Sequence, residues 1–417
     1  MKVLIFEDEK WQNLLPLCFI KNTFELRCGY YSLFERLEKN IEGEKCLWVR
    51  DYIAPLTKVK FNLPVNDENF LKDDLLVING KALIEEKISI DDEKIFISES
   101  GEIIYGLLKK ETIEKFWEGD FYKFLSKIKE NIKSEKNEKI KVLEYPWNFV
   151  QLNPEVMESD FEKIEDKKIE GDVSEKAEII NEESVIVRKE AKVHPFSVID
   201  ASKGPVFIDE GAEIFPFARI EGPCFIGKET QIMPGASIRE GNSFGPVCRV
   251  GGEVEESIFH SYSNKYHDGF IGHSYIGEFV NLGGLTTNSD LKNDYSNVTV
   301  YLNGKPVNTG DLKVGSFIGD HTKTSIGVFF NTGTIAGLMC NITAGGILPK
   351  YFPSFTWYIN NKFMKGTGLE MAIETAKKVM ARRKRELLKE EEDVIRKVYE
   401  KTEDERKEYI KRSRKKH

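Results

Sequence analysis

The six cysteines (Cys18, Cys28, Cys46, Cys224, Cys248 and Cys340) form no CxxC pair and stand at no metal-binding spacing. A zinc ribbon and a dithiol redox motif are therefore excluded, and burial as small apolar groups is expected of them. Basic excess is also missing. Lys and Arg number 61 against 69 Asp and Glu, a net charge of −8, which argues against a nucleic-acid-binding protein. No apolar run approaches the length of a membrane span. The opening MKVLIFEDEK has an apolar core of four residues followed at once by acids, which is not the shape of a signal peptide. These absences together lead us to expect a cytoplasmic protein without membrane or nucleic-acid partners. At 417 residues, two or three domains are expected.

What the chain does have is a beat of six. Ile208, Ile214, Ile220, Ile226, Ile232, Ile238, Phe244 and Val250 are apolar without a slip. Four residues after each stands a compact one: Ala212, Ala218, Cys224, Thr230, Ala236, Asn242, Cys248 and Val254. A helical stripe recurs every three to four residues and a strand alternates every two, so neither yields this pattern. A strict period of six belongs to hexapeptide solenoids, in which each hexapeptide forms one face of a triangular coil. The beat returns at Ile318, Thr324, Phe330, Ala336 and Ile342, with Thr322, Val328, Thr334, Cys340 and Gly346 at the compact positions. It is faint upstream at Val187, Val193 and Ile199. A left-handed parallel β-helix is expected over 171–352. The period breaks over Glu255–Phe270 and Leu285–Lys313, and loops that interrupt a solenoid usually serve a site or an interface.

Before the coil, residues 1–168 alternate strands and helices. Strands are expected at Lys2–Phe6, Lys45–Arg50 and Asp74–Asn79. A strand pair, Lys94–Ser98 and Ile103–Leu108, follows around a Ser100-Gly101 turn, and then a helix over Thr112–Ile132. That order reads as an α/β domain with a mostly parallel, Rossmann-like sheet. After the coil, residues 353–417 form an extension. A short edge strand is expected at Phe355–Ile359, and a capping-box pattern at Thr367–Glu370 opens a helix carrying Leu369, Ile373, Ala376 and Met380. The charged stretch from Arg382 leaves a docked helix, an oligomer helix and a frayed tail all open, with the last seven residues expected to be disordered.

Several clusters carry a resemblance: Phe217-Ala-Arg219, Val250-Gly-Gly-Glu-Val-Glu255, Ser263-Asn-Lys-Tyr-His267, Ile276-Gly-Glu-Phe-Val-Asn-Leu-Gly-Gly284 and Ile318-Gly-Asp-His-Thr322. On these residues, the region from Ile214 to about Pro349 resembles the acetyltransferase half of the bacterial bifunctional enzyme that acetylates glucosamine-1-phosphate and then uridylylates the product. Asn13-Leu-Leu-Pro-Leu17, Glu25-Leu-Arg27 and Tyr145-Pro-Trp-Asn148 look like a divergent nucleotidyltransferase-like domain of a variant branch of that family.

The resemblance implies a homotrimer of β-helices, acetyl-CoA lying in the groove between neighbours, and an amino sugar phosphate near the first broken coil. It implies His267 as general base, suited by a pKa near working pH, with Glu255 orienting the imidazole. Arg219 would grip the phosphate with a fork of donors, Asn281 would donate to a sugar hydroxyl and Lys265 would add positive charge. Gly284 and Ala336 match positions where CoA approaches the backbone, although both also suit the packing of a coil. The family's lysine two positions after the acid is Ser257 here, and Lys292 is the candidate to replace its charge. His260, His267 and His273 share one region but lack the spacing that a zinc site requires.

A working nucleotidyltransferase resembling the family would open on a Gly-rich loop that cradles a triphosphate. Here the first strand runs into Glu7-Asp-Glu-Lys-Trp11, and Asn79-Gly-Lys81 replaces the family's metal-holding Gly-Asp. Mg²⁺ is expected only if this domain is active. A different site built on Arg27, Asp8 and Lys21 stays open. The expected function is acetyl-CoA-dependent N-acetylation of an amino sugar 1-phosphate in UDP-N-acetylglucosamine-type sugar-nucleotide biosynthesis. The alternatives are sugar-1-phosphate nucleotidyl transfer, alone or as a second activity, and a non-catalytic sugar-nucleotide-binding scaffold.

Overall fold

Val3, Leu4, Ile5 and Phe6 are buried on both sides, as a strand inside a covered sheet requires. In the computed structural model, which describes residues 2–343 and 348–415, Lys2–Phe6 lies between Glu44–Trp48 and Leu75–Asn79 and is parallel to both. The next strand, Ile103–Leu108, runs antiparallel to Leu75–Asn79, because the hairpin through Gly101 reverses the chain back onto Lys94–Ile97. The sheet is therefore mixed but mostly parallel: Ile103–Leu108 alone runs against the other strands, and Ser134–Lys136 at the edge is parallel to Lys94–Ile97. The helix expected over Thr112–Ile132 is two helices, Lys110–Phe116 and Phe121–Asn131. Gly119 takes φ +81° between them. The Asp120 carboxylate accepts from the amides of Tyr122 and Lys123, capping the second helix.

The chain divides into two compact units. One comprises Met1–Leu14, Ile20–Leu26 and Tyr31–Tyr145; the other comprises Leu15–Phe19, Arg27–Tyr30 and Pro146–His417. The second unit is the β-helix. Its strands are two or three residues long and stack into three parallel faces. The first face runs from Asp172–Val173 to Asn264–Lys265. The second runs from Glu178–Ile180 to Phe270–Gly272. The third runs from Val185–Val187 to Tyr351–Phe352. All eight residues of the main beat are 0% exposed, and they stand directly above one another, as Ile214 does below Ile232 and Ile220 below Ile238. Gly346 lies outside the described residues.

The ladder does not stop at Glu255. Val254, Phe259, Lys265, Ile271 and Ile276 continue the inner column. The period disappears because three corners are shortened: the inward steps from Val250 to Val254, from Val254 to Phe259 and, later, from Ile271 to Ile276 fall from six residues to four, five and five. The second interruption is a true excursion: Thr299–Leu302 and Lys305–Asn308 form a hairpin outside the coil, and the chain rejoins the third face at Ser316–Ile318.

The third face is covered from outside by the helix Pro146–Glu162 and by residues 27–30. The Tyr30 ring stacks on Phe225 at 5.0 Å and meets Phe207 edge-on at 5.1 Å. The amides of Gly29 and Tyr30 donate to the side chains of Asn153 and Asp160. Trp357–Ile359 pairs with Lys362–Met364 at the C-terminal end of the coil, where Tyr409 and Ile410 close the core. The helix Leu369–Ala381 buries Ile373, Ala376 and Met380. Its N-cap is Gly368, with no side-chain cap, in place of the expected Thr367–Glu370 box. The charged tail folds into Lys389–Lys401 and Glu403–Lys415, so most of the segment expected to be disordered is helical; residues 416–417 lie outside the described residues. No described helix is long and apolar enough to cross a membrane.

His273 anchors the excursion. Its Nδ1 lies 2.8 Å from Asp290 at the base of the inserted segment, and its Nε2 lies 3.3 Å from Glu256 on the coil. Burial alone lowers its pKa, but hydrogen bonds to Asp290 and Glu256 outweigh it and raise the value to about 9. A folded pKa above the unfolded one gives stability that is full below about pH 6.5 and lost as pH rises through about 9. We expect His273→Gln to cost on the order of 3 kcal/mol at pH 6 and far less at pH 10. Urea unfolding at both pH values checks this, and an equal loss at the two would contradict a charged His273.

Candidate functional site

The His267 corner is built from inside the coil. Lys265 occupies an inward position normally held by an aliphatic residue and is 1% exposed. Its ammonium donates to the carbonyls of Gly251 at 2.7 Å and His267 at 3.0 Å, satisfying a charge that would otherwise be very unfavourable there. Desolvation lowers its pKa to about 8. Lys265 therefore does not face a ligand as expected; it positions the backbone that carries His267. Tyr266, His267 and Asp268 project into solvent beyond it.

His267 borders a cleft of about 430 Å³ with Tyr266, Asn281, Gly284, Leu285 and Ile326. Gly284 lies directly above His267, where a Cβ would come to 3.5 Å from the histidine Cβ, so the missing side chain keeps the cleft open beside the imidazole. The ring meets Tyr266 edge-on at 5.2 Å. Among the described residues no hydrogen bond or ion pair engages the imidazole. Of the expected site residues, the structure brings together His267, Asn281 and Gly284.

Glu255 is elsewhere. It sits at the next corner, with the strand Phe270–Gly272 between that corner and His267. Its carboxylate is 2.8 Å from Arg239 and 3.4 Å from Lys313, so it does not orient the imidazole as the resemblance implied. Arg239 is a residue that the sequence reading missed. It lies 16 residues before Glu255, close to one turn of the coil, and that spacing could have revealed it. Lys313, not Lys292, brings positive charge to Glu255. Lys292 hydrogen-bonds Ser296 and stands 3.6 Å from Asp294 within the excursion.

Arg219 lies three rungs below Phe270 on the second face, roughly 14 Å away. It is held by Glu221 and Asp200, each at 2.8 Å, which makes it a surface ion pair and not a neighbour of the cleft. Ala336 is 0% exposed in the inner column, between Ile318 and Phe352, so its methyl faces the core instead of a groove. The three regional histidines have separate surroundings. His260 contacts Ser261 and Glu278, His273 contacts Asp290 and Glu256, and His267 faces the cleft.

In the first unit, the C-terminal ends of Lys2–Phe6 and Leu75–Asn79 meet where open α/β sheets bind ligands. Asp8 there is ion-paired with Lys81 Nζ at 2.8 Å and accepts a hydrogen bond from Asn79 Nδ2 at 2.8 Å. Glu7 receives both contacts from Arg50 Nη1, at 2.6 and 2.7 Å, and the Thr23 amide at 2.8 Å. Trp11 and Tyr52 flank the Arg50 guanidinium. Two of the three acids of Glu7-Asp-Glu9 are thus neutralised internally, and of the three only Glu9 is exposed. The alternative site does not form, since Arg27 belongs to the other unit and its amide donates to Tyr275. A Mg²⁺ ion does not fit these residues. The ammonium of Lys81, 0% exposed, already stands at the carboxylate that would bind it, and Asn79 contributes only a neutral amide.

Residues 3–169 match a sugar nucleotidyl transferase family model. The chain is 28% identical over 222 residues to the bifunctional sugar-1-phosphate nucleotidylyltransferase/acetyltransferase of Sulfurisphaera tokodaii, covering 51% of this chain and 49% of that one. It is 28% identical over 333 residues to the bifunctional protein GlmU of Methanocaldococcus jannaschii, covering 67% and 77%. With the bifunctional protein GlmU of Bifidobacterium longum subsp. infantis it shares 30% over 146 residues, 34% of this chain and 30% of that one. The chain thus spans about half the length of the first of these relatives and under a third of the last. The chain is thus similar to GlmU-like bifunctional proteins, with a match to a sugar nucleotidyl transferase model over residues 3–169 followed by a β-helix.

Proposed function

We propose that the second unit is an acetyl-CoA-dependent N-acetyltransferase acting on an amino sugar 1-phosphate of the glucosamine-1-phosphate class, with His267 as general base. The observation that supports this reading best is the unengaged imidazole of His267 beside the space left by Gly284. Nucleophilic attack by the sugar nitrogen requires loss of its ammonium proton, and an imidazole is the side chain best suited to accept a proton near neutral pH. The neutral amine then attacks the thioester carbonyl, and the free thiol of CoA leaves. Asn281, which shares the cleft, supplies an amide for a sugar hydroxyl. The names of the Sulfurisphaera and Methanocaldococcus relatives favour the same reading, and a homotrimer is its natural assembly.

For the first unit we propose that conventional Mg²⁺-dependent pyrophosphorylase chemistry is lost, since Lys81 satisfies Asp8 from within the protein. The domain keeps the fold and the site for a sugar nucleotide without the metal-bound triphosphate.

Thiol release from acetyl-CoA with glucosamine-1-phosphate should fall about a hundredfold in His267→Ala, with an unchanged melting temperature because the side chain is exposed. Full activity in that variant would sink the assignment. Gly284→Leu should fill the cleft and raise KM for acetyl-CoA at least about tenfold, since the added side chain takes space the acyl donor needs. For the first unit, pyrophosphate release is to be measured with each of the four NTPs, a panel of sugar 1-phosphates and Mg²⁺. None is expected, and any turnover would overturn the loss.

A further inference from the structure

Arg249 and Arg383 meet on the outer side of the first face without an acid between them. Arg249 stands on the rung next to Asn264, and Arg383 Nη2 donates to the Asn264 side-chain oxygen at 2.8 Å. Arg383 reaches this point from the turn after the helix Leu369–Ala381, where its own amide bonds the Met380 carbonyl. The Arg249 guanidinium donates to two backbone carbonyls, Glu229 at 3.1 Å and Cys248 at 2.9 Å. Among the described residues neither guanidinium is in an ion pair. Both are only half-exposed. Burial, followed by the charge of Arg383, holds Arg249 below the usual arginine range; burial, followed by Arg382, does the same for Arg383.

Such an arrangement is unfavourable in the free protein. Two cations in a partly desolvated place repel one another, and neutral amide and carbonyl partners, with the more distant carboxylates of Glu229 and Glu213 acting on Arg249, relieve that only in part. Elsewhere in the chain arginines find carboxylates, as Arg219, Arg239 and Arg396 do. Two planar forks on adjacent rungs match the oxygens of a phosphoryl group. The row continues upward from Arg249 through Asn264 to Asn281, and the Asn264 amide nitrogen lies 3.4 Å from the Asn281 side-chain oxygen. Two rungs, roughly 10 Å, therefore separate Arg249 from a wall of the His267 cleft.

We propose that Arg249 and Arg383 form a binding site for the phosphoryl group of a small organic phosphate whose other end reaches the His267 cleft. The anion site itself does not depend on acetyl transfer, but the choice of ligand rests on that reading. The phosphate belongs either to the acyl donor or to the sugar acceptor. The C-terminal extension thereby contributes a binding residue to the coil, beyond closing its end.

Thermal unfolding with and without inorganic phosphate at fixed ionic strength tests the anion site. The parent protein should melt higher with phosphate. Arg249→Met and Arg383→Met should lose that rise, while melting no lower than the parent in phosphate-free buffer because a like-charge repulsion is gone. Calorimetry then compares acetyl-CoA with S-acetylpantetheine, and glucosamine-1-phosphate with glucosamine. The pair whose phosphorylated member loses at least about tenfold in affinity in both variants identifies the source. Arg383→Lys should restore part of that loss. No phosphate-induced rise in the parent, or an undiminished rise in both variants, would overturn the site, as would variants that keep the parent's discrimination in both pairs. His267→Ala should keep the phosphate-induced rise, which separates failure of this site from failure of the acyl-transfer reading.

Discussion

A strand of two or three residues cannot bury a face alone, and the whole β-helix depends on that constraint. Each rung is stable only because identical rungs above and below complete its hydrogen bonds and cover its inward side chain. The inner column from Val187 to Phe352 is the result. It tolerates changes of spacing at the corners, where the chain is only turning, but hardly any change of volume or polarity inside. Lys265 shows the terms on which an exception is allowed. Its ammonium is buried because two backbone carbonyls face it, and those carbonyls belong to the corners that flank it. An exception to the inner rule thus shapes the outer surface where His267 stands.

This explains why some of the structure was legible in the residues and some was not. The beat from Ile208 to Val250 is a direct print of the inner column, so the β-helix was evident without coordinates. The apparent break after Glu255 was misread, because a fixed period cannot follow a coil whose corners shorten, and because a lysine does not announce itself as a core residue. In the α/β unit the strands and the hairpin around Gly101 were visible from their apolar runs, whereas the pattern does not say that Ile103–Leu108 inserts beside Leu75–Asn79 as the one reversed strand. The candidate site was legible at His267, Asn281 and Gly284, which lie on one corner and its neighbouring face. It was not legible at Glu255, Arg219 or Ala336. Motif order along a chain does not say which of three corners a residue occupies or whether it points in or out. Arg383 was hidden for another reason: a densely charged stretch reads as solvated until a fold shows which of its charges lacks a counter-ion.

Charge in this protein is mostly spoken for. Glu7 with Arg50, Asp8 with Lys81, and Glu255 with Arg239 and Lys313 are internal pairs at positions where related chemistry would call for free groups. Pairing of this kind stabilises a local arrangement and at the same time withdraws it from binding, because a ligand must then displace a partner already in place.

Residues 27–30 belong in space to the coil although they lie early in the chain. Tyr30 covers Phe207 and Phe225, Ser243 donates to the Gly29 carbonyl, and Tyr275 accepts from the Arg27 amide. The two units are therefore not modules in the genetic sense. A fragment beginning at Pro146 would include every rung and still leave aromatic surface of the third face open to water, inviting association through that face. Loss or exchange of the first half by a single recombination would strip the second half of its plug. The first half of the chain is thus under a structural constraint of its own, because the other half cannot be completed without a strip of its sequence.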